Sequence, residues 1–376
     1  MTVPYEIVRY EPSLRDQVTE LQRHLWGNDA TINAAYLDWK YHRNPYLDDP
    51  IICLALHAGQ VVGMRGMFGA RWEIGTPAQH VVVPCADDFV IAPEHRNRGL
   101  VAQIMGATVA AVAAQGYRYA FSLSASPVTT MASLASGWRG VGSMRNAQRK
   151  GVPGLLVRAA TRLRTLPLLW RCAEPVARLE YRLRQPFARL DREARQVSGS
   201  SAVGVRVESA PRVHAMADLV RRLAHDGRIR HVRDERYLAW RYQSPLHEYR
   251  FLFQGTDRLD GYLVLRANRQ DPGRGVSVVD WEATTPALRE ELLRAAVDWG
   301  SFSQLTIWSA ALPTDALPAV SRAGFVPVGT GSRSHHTILV CDVRGLTPAP
   351  DAMVVAGRRL LEPASWDMRM VYSMEG

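Results

Sequence analysis

The sequence predicts an α/β (α+β) protein made of two related domains, and three observations carry that prediction. Its 376 residues exceed what a single hydrophobic core usually serves. Stretches with the two-residue period of strands are interleaved with amphipathic and apolar helical stretches. Several landmarks of the first half also return, in the same order, in the second.

The first half reads in order as follows. Tyr5 to Tyr10 alternates apolar and charged residues as a strand, and Ser13 precedes the amphipathic run Leu14 to Trp26. A helical patch ends in Tyr36-Leu37-Asp38-Trp39-Lys40-Tyr41, before the turn Arg43-Asn44-Pro45-Tyr46 and a strand from Ile51 to His57. Gly59-Gln60 reads as the hairpin turn into a strand from Val61 to Phe68. A second pair follows, Ala70 to Ile74 and Gln79 to Ile91, the latter interrupted near Pro84. The Ala-rich helix Val101 to Gln115 carries almost no charge and should lie buried against a sheet. Tyr117 to Leu123 is a further apolar strand, and Gly137 to Gly142 begins another.

The second half replays this plan. Tyr237-Leu238-Ala239-Trp240-Arg241-Tyr242, followed by Pro245 and Tyr249, echoes Tyr36 to Tyr46, and Arg258 to Arg266 echoes Gly59 to Gly66, with Gly261 matching Gly63. Ala323 to Gly329 echoes Ser136 to Gly142. The offsets, roughly 190 to 200 residues each, indicate an internal duplication. Between the halves runs a basic stretch, Lys150 to Arg195, rich in leucine and broken by Pro167, Pro175 and Pro186 into short helices. Ser198-Gly199-Ser200-Ser201 then reads as a linker. The expected domains are therefore 1–149, a helical basic insert and linker at 150–201, and 202–376. The insert is either a bridge packed on the two domains or a basic surface element that meets a membrane or a lipid-linked acceptor.

Composition narrows the function. Hydrophobic residues at 47% and charged residues at 22% are ordinary for a globular chain. The net charge is +10, and of 46 basic residues only Lys40 and Lys150 are lysines. The excess of arginine reads either as genome bias or as a match to an anionic partner. Cys53, Cys85, Cys172 and Cys341 show no C-x-x-C spacing, so neither a zinc site nor a disulfide framework is indicated. The N-terminus lacks the apolar core of a signal peptide and no apolar run is long enough to span a bilayer, which leads us to expect a cytoplasmic enzyme.

The chemistry concentrates in Asp87-Asp88-Phe89-Val90-Ile91-Ala92-Pro93-Glu94-His95-Arg96-Asn97-Arg98-Gly99-Leu100-Val101-Ala102. A strand ends near Pro93, a basic turn follows, and an apolar helix begins near Gly99. Free amides at a helix N-terminus bind phosphate oxygens, Gly99 permits close backbone approach, and Arg96 and Arg98 add charged donors. The alternative is a capped turn with solvated arginines.

These residues resemble the pyrophosphate loop of the GCN5-related N-acetyltransferase (GNAT) superfamily, Arg/Gln-x-x-Gly-x-Gly/Ala after a strand ending in Val-x-Pro. Ile91-Ala92-Pro93 and Arg96-Asn97-Arg98-Gly99 match it, with Val101 where glycine or alanine is usual. Ser126-Pro127 and Ser136-Gly137-Trp138 resemble the family's next segment. The resemblance implies two tandem domains, each a mixed, mostly antiparallel central sheet flanked by helices, and a cofactor that is acetyl-CoA or another acyl-CoA. It implies cofactor contacts from Phe89, Val90, Ile91, Arg96, Asn97, Arg98, Gly99, Leu100, Val101, Ala102 and Ser126. It implies Asp88, with Asp87 beside it, as the base for an attacking amine. Because strand neighbours face opposite sides, only one aspartate of the pair is expected in the cleft. Ser133 stands where the family often carries a tyrosine acid, leaving that role to Tyr41, to water or to no discrete group. His95 is expected to meet phosphate or solvent.

In the second half Thr284-Thr285-Pro286-Ala287-Leu288-Arg289 has no glycine, so one cofactor site per chain is expected. Trp39, Tyr41, Asp280 and Glu282 are candidates for the acceptor, although such aromatics are more often core. The acceptor is expected to be a small-molecule amine such as an amino sugar, and DNA is not an expected partner. Tandem arrangements of this kind resemble mycothiol synthase, Fem-type aminoacyltransferases and surface-polysaccharide acyltransferases. The alternatives are therefore a Fem-like transferase using aminoacyl-tRNA and a non-catalytic binding protein.

Overall fold

The computed structural model describes residues 4–150, 196–197, 204–269, 275–300, 302, 304–310, 312, 316–328, 336–344 and 353–374. The basic insert and the serine-glycine linker fall almost wholly outside these residues, as does Cys172. Two compact units form: Met1–Arg145 with Ala224–Leu246 and Gly329–Gly376, and Asn146–Leu223 with His247–Val328. The consecutive domains read from the sequence differ from these units, because a repeat in sequence does not say which sheet a terminal strand joins.

The first half contributes β1 (Tyr5–Arg9), helices α1 (Arg15–Leu21), α2 (Arg23–Trp26) and α3 (Ala30–Leu37), β2 (Ile51–His57), β3 (Gln60–Ile74) and β4 (Gln79–Ile91). It continues with α4 (Leu100–Ala114), β5 (Tyr119–Ala125), α5 (Pro127–Ala135), β6 (Arg139–Met144) and β7 (Asn146–Lys150). The second half contributes β8 (Gln196–Val197), β9 (Val205–Glu208), β10 (Arg230–His231), β11 (His247–Gly255), β12 (Leu259–Asn268) and β13 (Val276–Ala283). β14 (Gln304–Trp308), β15 (Val326–Pro327) and β16 (His336–Asp342) complete it.

The two sheets have one plan. In the first, β1-β2-β3-β4 run antiparallel, β5 lies parallel to β4, and β16 and then β6 follow, with β10 added along β3. In the second, β9-β11-β12-β13 run antiparallel, β14 lies parallel to β13, and β7 and then β15 follow. β7, from the first half, thus fills the place in the second sheet that β16, from the second half, fills in the first. The repeat extends to packing: a Cβ on Gly63 would press on Ile104 of α4, and one on Gly261 on Leu292 of the helix Pro286–Trp299.

Several expected boundaries shift for physical reasons. The hairpin turn is Ala58-Gly59, both with positive φ as a tight two-residue turn requires. The two strands expected at Val61–Phe68 and Ala70–Ile74 are one, since Gly69 lets Asn44 and Leu47 pack against β3 without breaking it. β4 runs through Pro84, which lies opposite Gly69 in the ladder, so the expected interruption is absent. The run Leu14–Trp26 divides at Gln22, whose N–H is shared between the Val18 and Glu20 carbonyls. Past Leu37 the helix widens into a π turn, Asp38–His42, and this lets the consecutive residues Trp39, Lys40 and Tyr41 all be buried.

That π turn meets its own sequence counterpart inside the first unit. Trp39 and Trp240 stack with ring centroids 4.9 Å apart, and each indole N–H donates to the other's backbone carbonyl, at 2.7 and 2.8 Å. Arg241, the counterpart of Lys40, donates to the carbonyls of Val371 and Ser373.

Because β16 is the partner of both β5 and β6, Val340→Pro should remove a ladder hydrogen bond at the centre of the first sheet. The expected loss is about 3 kcal/mol or more, read by urea unfolding. An unchanged midpoint would contradict this strand assignment.

Candidate active site

β4 and β5 are parallel neighbours, and they pair at one position only, Cys85 opposite Phe121. From Ala86 to Ile91, β4 pairs with β3 alone, so the two parallel strands part towards their C-terminal ends. The opening therefore faces the ends from which α4 and α5 begin. Crevices at the carboxyl ends of diverging parallel strands are a recurrent ligand position.

The two helix starts differ in how their amides are used. α4 begins after Gly99, which has φ of 75° and offers no side-chain cap. A Cβ there would meet nothing closer than Gln103 Nε2 at 4.0 Å, so the space before the helix is open. Asn97 is also left-handed, at φ 60°, and Arg96, Asn97 and Arg98 are exposed. Arg96 Nε donates to the Ile91 carbonyl at 3.1 Å, tying the loop to the strand end. Leu100 is buried, Ala102 is exposed, and Val101 packs its side chain against the apolar cluster under α4. An anion fits this cradle: free amides, two exposed guanidinium groups and room. Ser126 caps α5, accepting from Thr129 N–H, on the next strand's end. The equivalent helix of the second unit, Pro286–Trp299, is closed: Thr285 Oγ1 accepts from Leu288 N–H, and Pro286 has no N–H to offer.

His95 does not point free into solvent. Its Nδ1 is 3.0 Å from Tyr5 Oη, its ring lies beside that of His57, and burial together with His57 and Arg98 holds its pKa below the usual value.

The adjacent aspartates do not alternate. Arg65 of β3 stands opposite both Asp88 and Phe89, a β-bulge, and Asp88 takes φ of 48°. Both carboxylates consequently converge on one ammonium. Lys40 Nζ donates to Asp87 Oδ2 at 2.8 Å, Asp88 Oδ1 at 2.9 Å and Tyr36 Oη at 3.0 Å, which uses all three of its N–H groups. Tyr41 Oη donates to Asp88 Oδ2 at 2.7 Å, and Asp88 N–H to Asp87 Oδ1 at 2.9 Å. The expectation that one aspartate alone would face this side is corrected by the bulge. Gly66 is required here, because a Cβ at that position would overlap Tyr41 Oη.

The electrostatics follow from this geometry. Burial alone would pull the Lys40 ammonium down, but Asp87 and Asp88 overcome it and hold it well above the usual range. Burial pushes Asp88 up, opposed by Lys40. Burial and the neighbouring Asp88 keep the Tyr41 phenol protonated. Lys40 is further surrounded by the rings of Trp26, Tyr36, Tyr41 and Phe68.

The structure thus brings Asp87, Asp88 and Tyr41 together, with Phe89, Val90 and Ile91 on the parting segment of β4. Trp39 is interior, stacked on Trp240. Asp280 and Glu282 are buried in the second unit, where Asp280 accepts from Tyr262 Oη at 2.7 Å and Trp281 N–H at 3.0 Å. Sequence reasoning missed Lys40, Arg65 and Gly66. The signal for Lys40 was its rarity: a lysine in a chain that otherwise uses arginine. Among the described residues no cluster of three or more His, Cys, Asp or Glu is placed to hold a metal, and no helix is long and apolar enough to cross a membrane.

Two stability predictions follow from the packing. Gly66→Ala should cost about 1–3 kcal/mol by overpacking, whereas Gly106→Ala, in open space on α4, should gain about 0.5–1 kcal/mol. Equal effects in denaturant titrations would refute the Tyr41 contact. Lys40→Met should cost about 3–5 kcal/mol at neutral pH by leaving two buried carboxylates without a cation. The folded pKa of Asp88, already raised by burial, then rises further above the unfolded one, so the deficit should be small in acid and grow as pH rises through it. A loss independent of pH would contradict the pairing.

Similarity searches find relatives through structure alone: no family model and no curated protein matches the sequence. A GCN5-related N-acetyltransferase from Anabaena variabilis superposes with a TM-score of 0.54 at 14% identity, covering 90% of this chain and 73% of that one. A probable N-acyltransferase from Enterococcus faecalis gives 0.54 at 11%, covering 92% and 74%. A tandem GNAT protein from the clavulanic acid biosynthesis pathway gives 0.55 at 11%, covering 90% and 99%. At these identities the likeness is one of fold.

Proposed function

We propose that this chain, whose fold is that of the GCN5-related N-acetyltransferases, is an acyl-CoA-dependent N-acyltransferase with one cofactor site per chain. The observation that carries the reading is the contrast between the uncapped start of α4 and the capped start of the helix Pro286–Trp299. The donor we favour is acetyl-CoA, and the acceptor a primary amine of an amino sugar or similar small metabolite. A cytoplasmic reaction, where acyl-CoA is supplied, is the location we favour.

When bound, acyl-CoA supplies an already activated thioester, so the protein has to align, deprotonate and polarise. The amides from Gly99 to Ala102, with Arg96, Asn97 and Arg98, would hold the pyrophosphate, with Ser126 at the start of α5 beside it. Phe89, Val90 and Ile91 would line the arm, and main-chain N–H groups of that segment would polarise the acyl carbonyl. Asp88 takes the amine's proton, directly or through water, with its basicity raised by burial and set by Lys40 and Asp87.

Titration calorimetry with acetyl-CoA tests the cofactor site. One site per chain is expected, weakened at least tenfold in Gly99→Glu and in Arg98→Ala. No binding by the unsubstituted protein would overturn the reading. Acceptors can be found by free-thiol release with amino sugars, nucleotide amino sugars and polyamines side by side. With an acceptor in hand, the rate should rise as pH passes through a value above the ordinary carboxylate range. Asp88→Asn should remove that limb with acetyl-CoA affinity little changed. An unaltered pH profile would rule Asp88 out as base.

A further inference from the structure

We infer that Arg65 supplies the positive potential that holds the leaving sulfur as a thiolate during acyl transfer, an inference that rests on the acyl-CoA reading above. Arg65 lies on β3, 2% exposed, opposite the bulge at Asp88 and Phe89. Its guanidinium carbon is 5.3 Å from the centroid of Phe89 on β4 and 5.4 Å from that of Trp138. Trp138 shares an apolar cluster with Ala120 and Ala125 of β5. The charge therefore sits where β4 and β5 part.

Among the described residues its hydrogen-bonding capacity is not filled, and Asp87, the carboxylate that faces it, is already paired with Lys40. Arg65 Nη1 is buried without a hydrogen-bond partner. The groups that face it are Asp87 from β4, Cys341 from β16 and Tyr41 from the π turn. Both Asp87 oxygens are committed, to Lys40 and to Asp88 N–H. Burial lifts the Cys341 thiol to about 11 and keeps the Tyr41 phenol protonated, so both are neutral. Burial lowers Arg65 to about 10, which leaves it charged at neutral pH. Trp138 Nε1 and Ser133 Oγ are likewise buried without partners. Trp138 N–H donates to the Ser133 carbonyl at 3.1 Å, so these groups are close along the chain. All three orphaned groups can donate, which suits an electron-rich ligand atom.

The reaction creates such an atom. The amine nitrogen bonds to the acyl carbon, the carbon–sulfur bond breaks, and its electron pair stays on sulfur. The amine's surplus proton goes to Asp88, and the sulfur takes a proton from solvent after release. Ser133 stands where the resemblance implies a phenol acid, and with no such group at that position the sulfur leaves as an anion in this proposal. A desolvated cation nearby stabilises that anion far more than it would in water.

The test uses CoA itself and needs no acceptor. The thiol of bound CoA is titrated by the ultraviolet absorbance of its thiolate, against about 8.5 for a free thiol. In the unsubstituted protein it should titrate about one unit or more lower, in Arg65→Lys it should keep most of that shift, and in Arg65→Met it should lose it. Identical thiol titrations in the unsubstituted protein and Arg65→Met would overturn the inference and leave the acyl-CoA reading standing. Failure of CoA to bind the unsubstituted protein would overturn both.

Discussion

Lys40 donates its three N–H groups to Tyr36, Asp87 and Asp88, and the π turn, β4 and the bulge take their positions from that ammonium. Three donors meet five oxygen-centred demands because Tyr41 and the Asp88 amide supply the others. Arginine could not replace it, since a planar fork needs acceptors spread in a plane, whereas these converge on a point. The left-handed Asp88, costly for a non-glycine residue, persists because the surrounding bonds over-determine it. The same bulge parts β4 from regular pairing beside the opening to β5, so stability and the candidate chemistry share one piece of geometry.

What the sequence disclosed and what it hid divide along physical lines. The turn from β4 into α4 was legible because its requirements are local: a strand end, a glycine that must be left-handed, and a helix start. The duplication was legible because aromatic and glycine landmarks survive divergence. The pairing of both aspartates was hidden because alternation holds only in regular strands. Nothing local in Asp87-Asp88 announces a bulge whose cause lies some forty-five residues earlier, in Lys40. Continuity of β3 and β4 was hidden by Gly69 and Pro84, each a break signal alone but harmless when opposed to one another. Strand exchange was hidden because hydrophobic period does not encode a partner.

The second copy keeps the fold while its helix start and its lysine position are built differently. Its bulge persists, and Asp280 still accepts from the following N–H as Asp87 does. Yet Thr285 has closed the helix start, and Arg241 has exchanged the carboxylate partners of Lys40 for main-chain carbonyls. The first change satisfies a helix amide within its own turn, and the second replaces a charged pair by hydrogen bonds to main-chain carbonyls.

The exchange of β7 and β16 also dictates an order of events at the ribosome. β5 and β6 lie in the first half of the sequence, but the strand that joins them follows every strand of the second sheet. Until β16 is made, β6 lacks its partner and β5 carries a bare edge, the kind of edge that recruits other chains. The first sheet therefore cannot close before the whole of the second sheet has been synthesised.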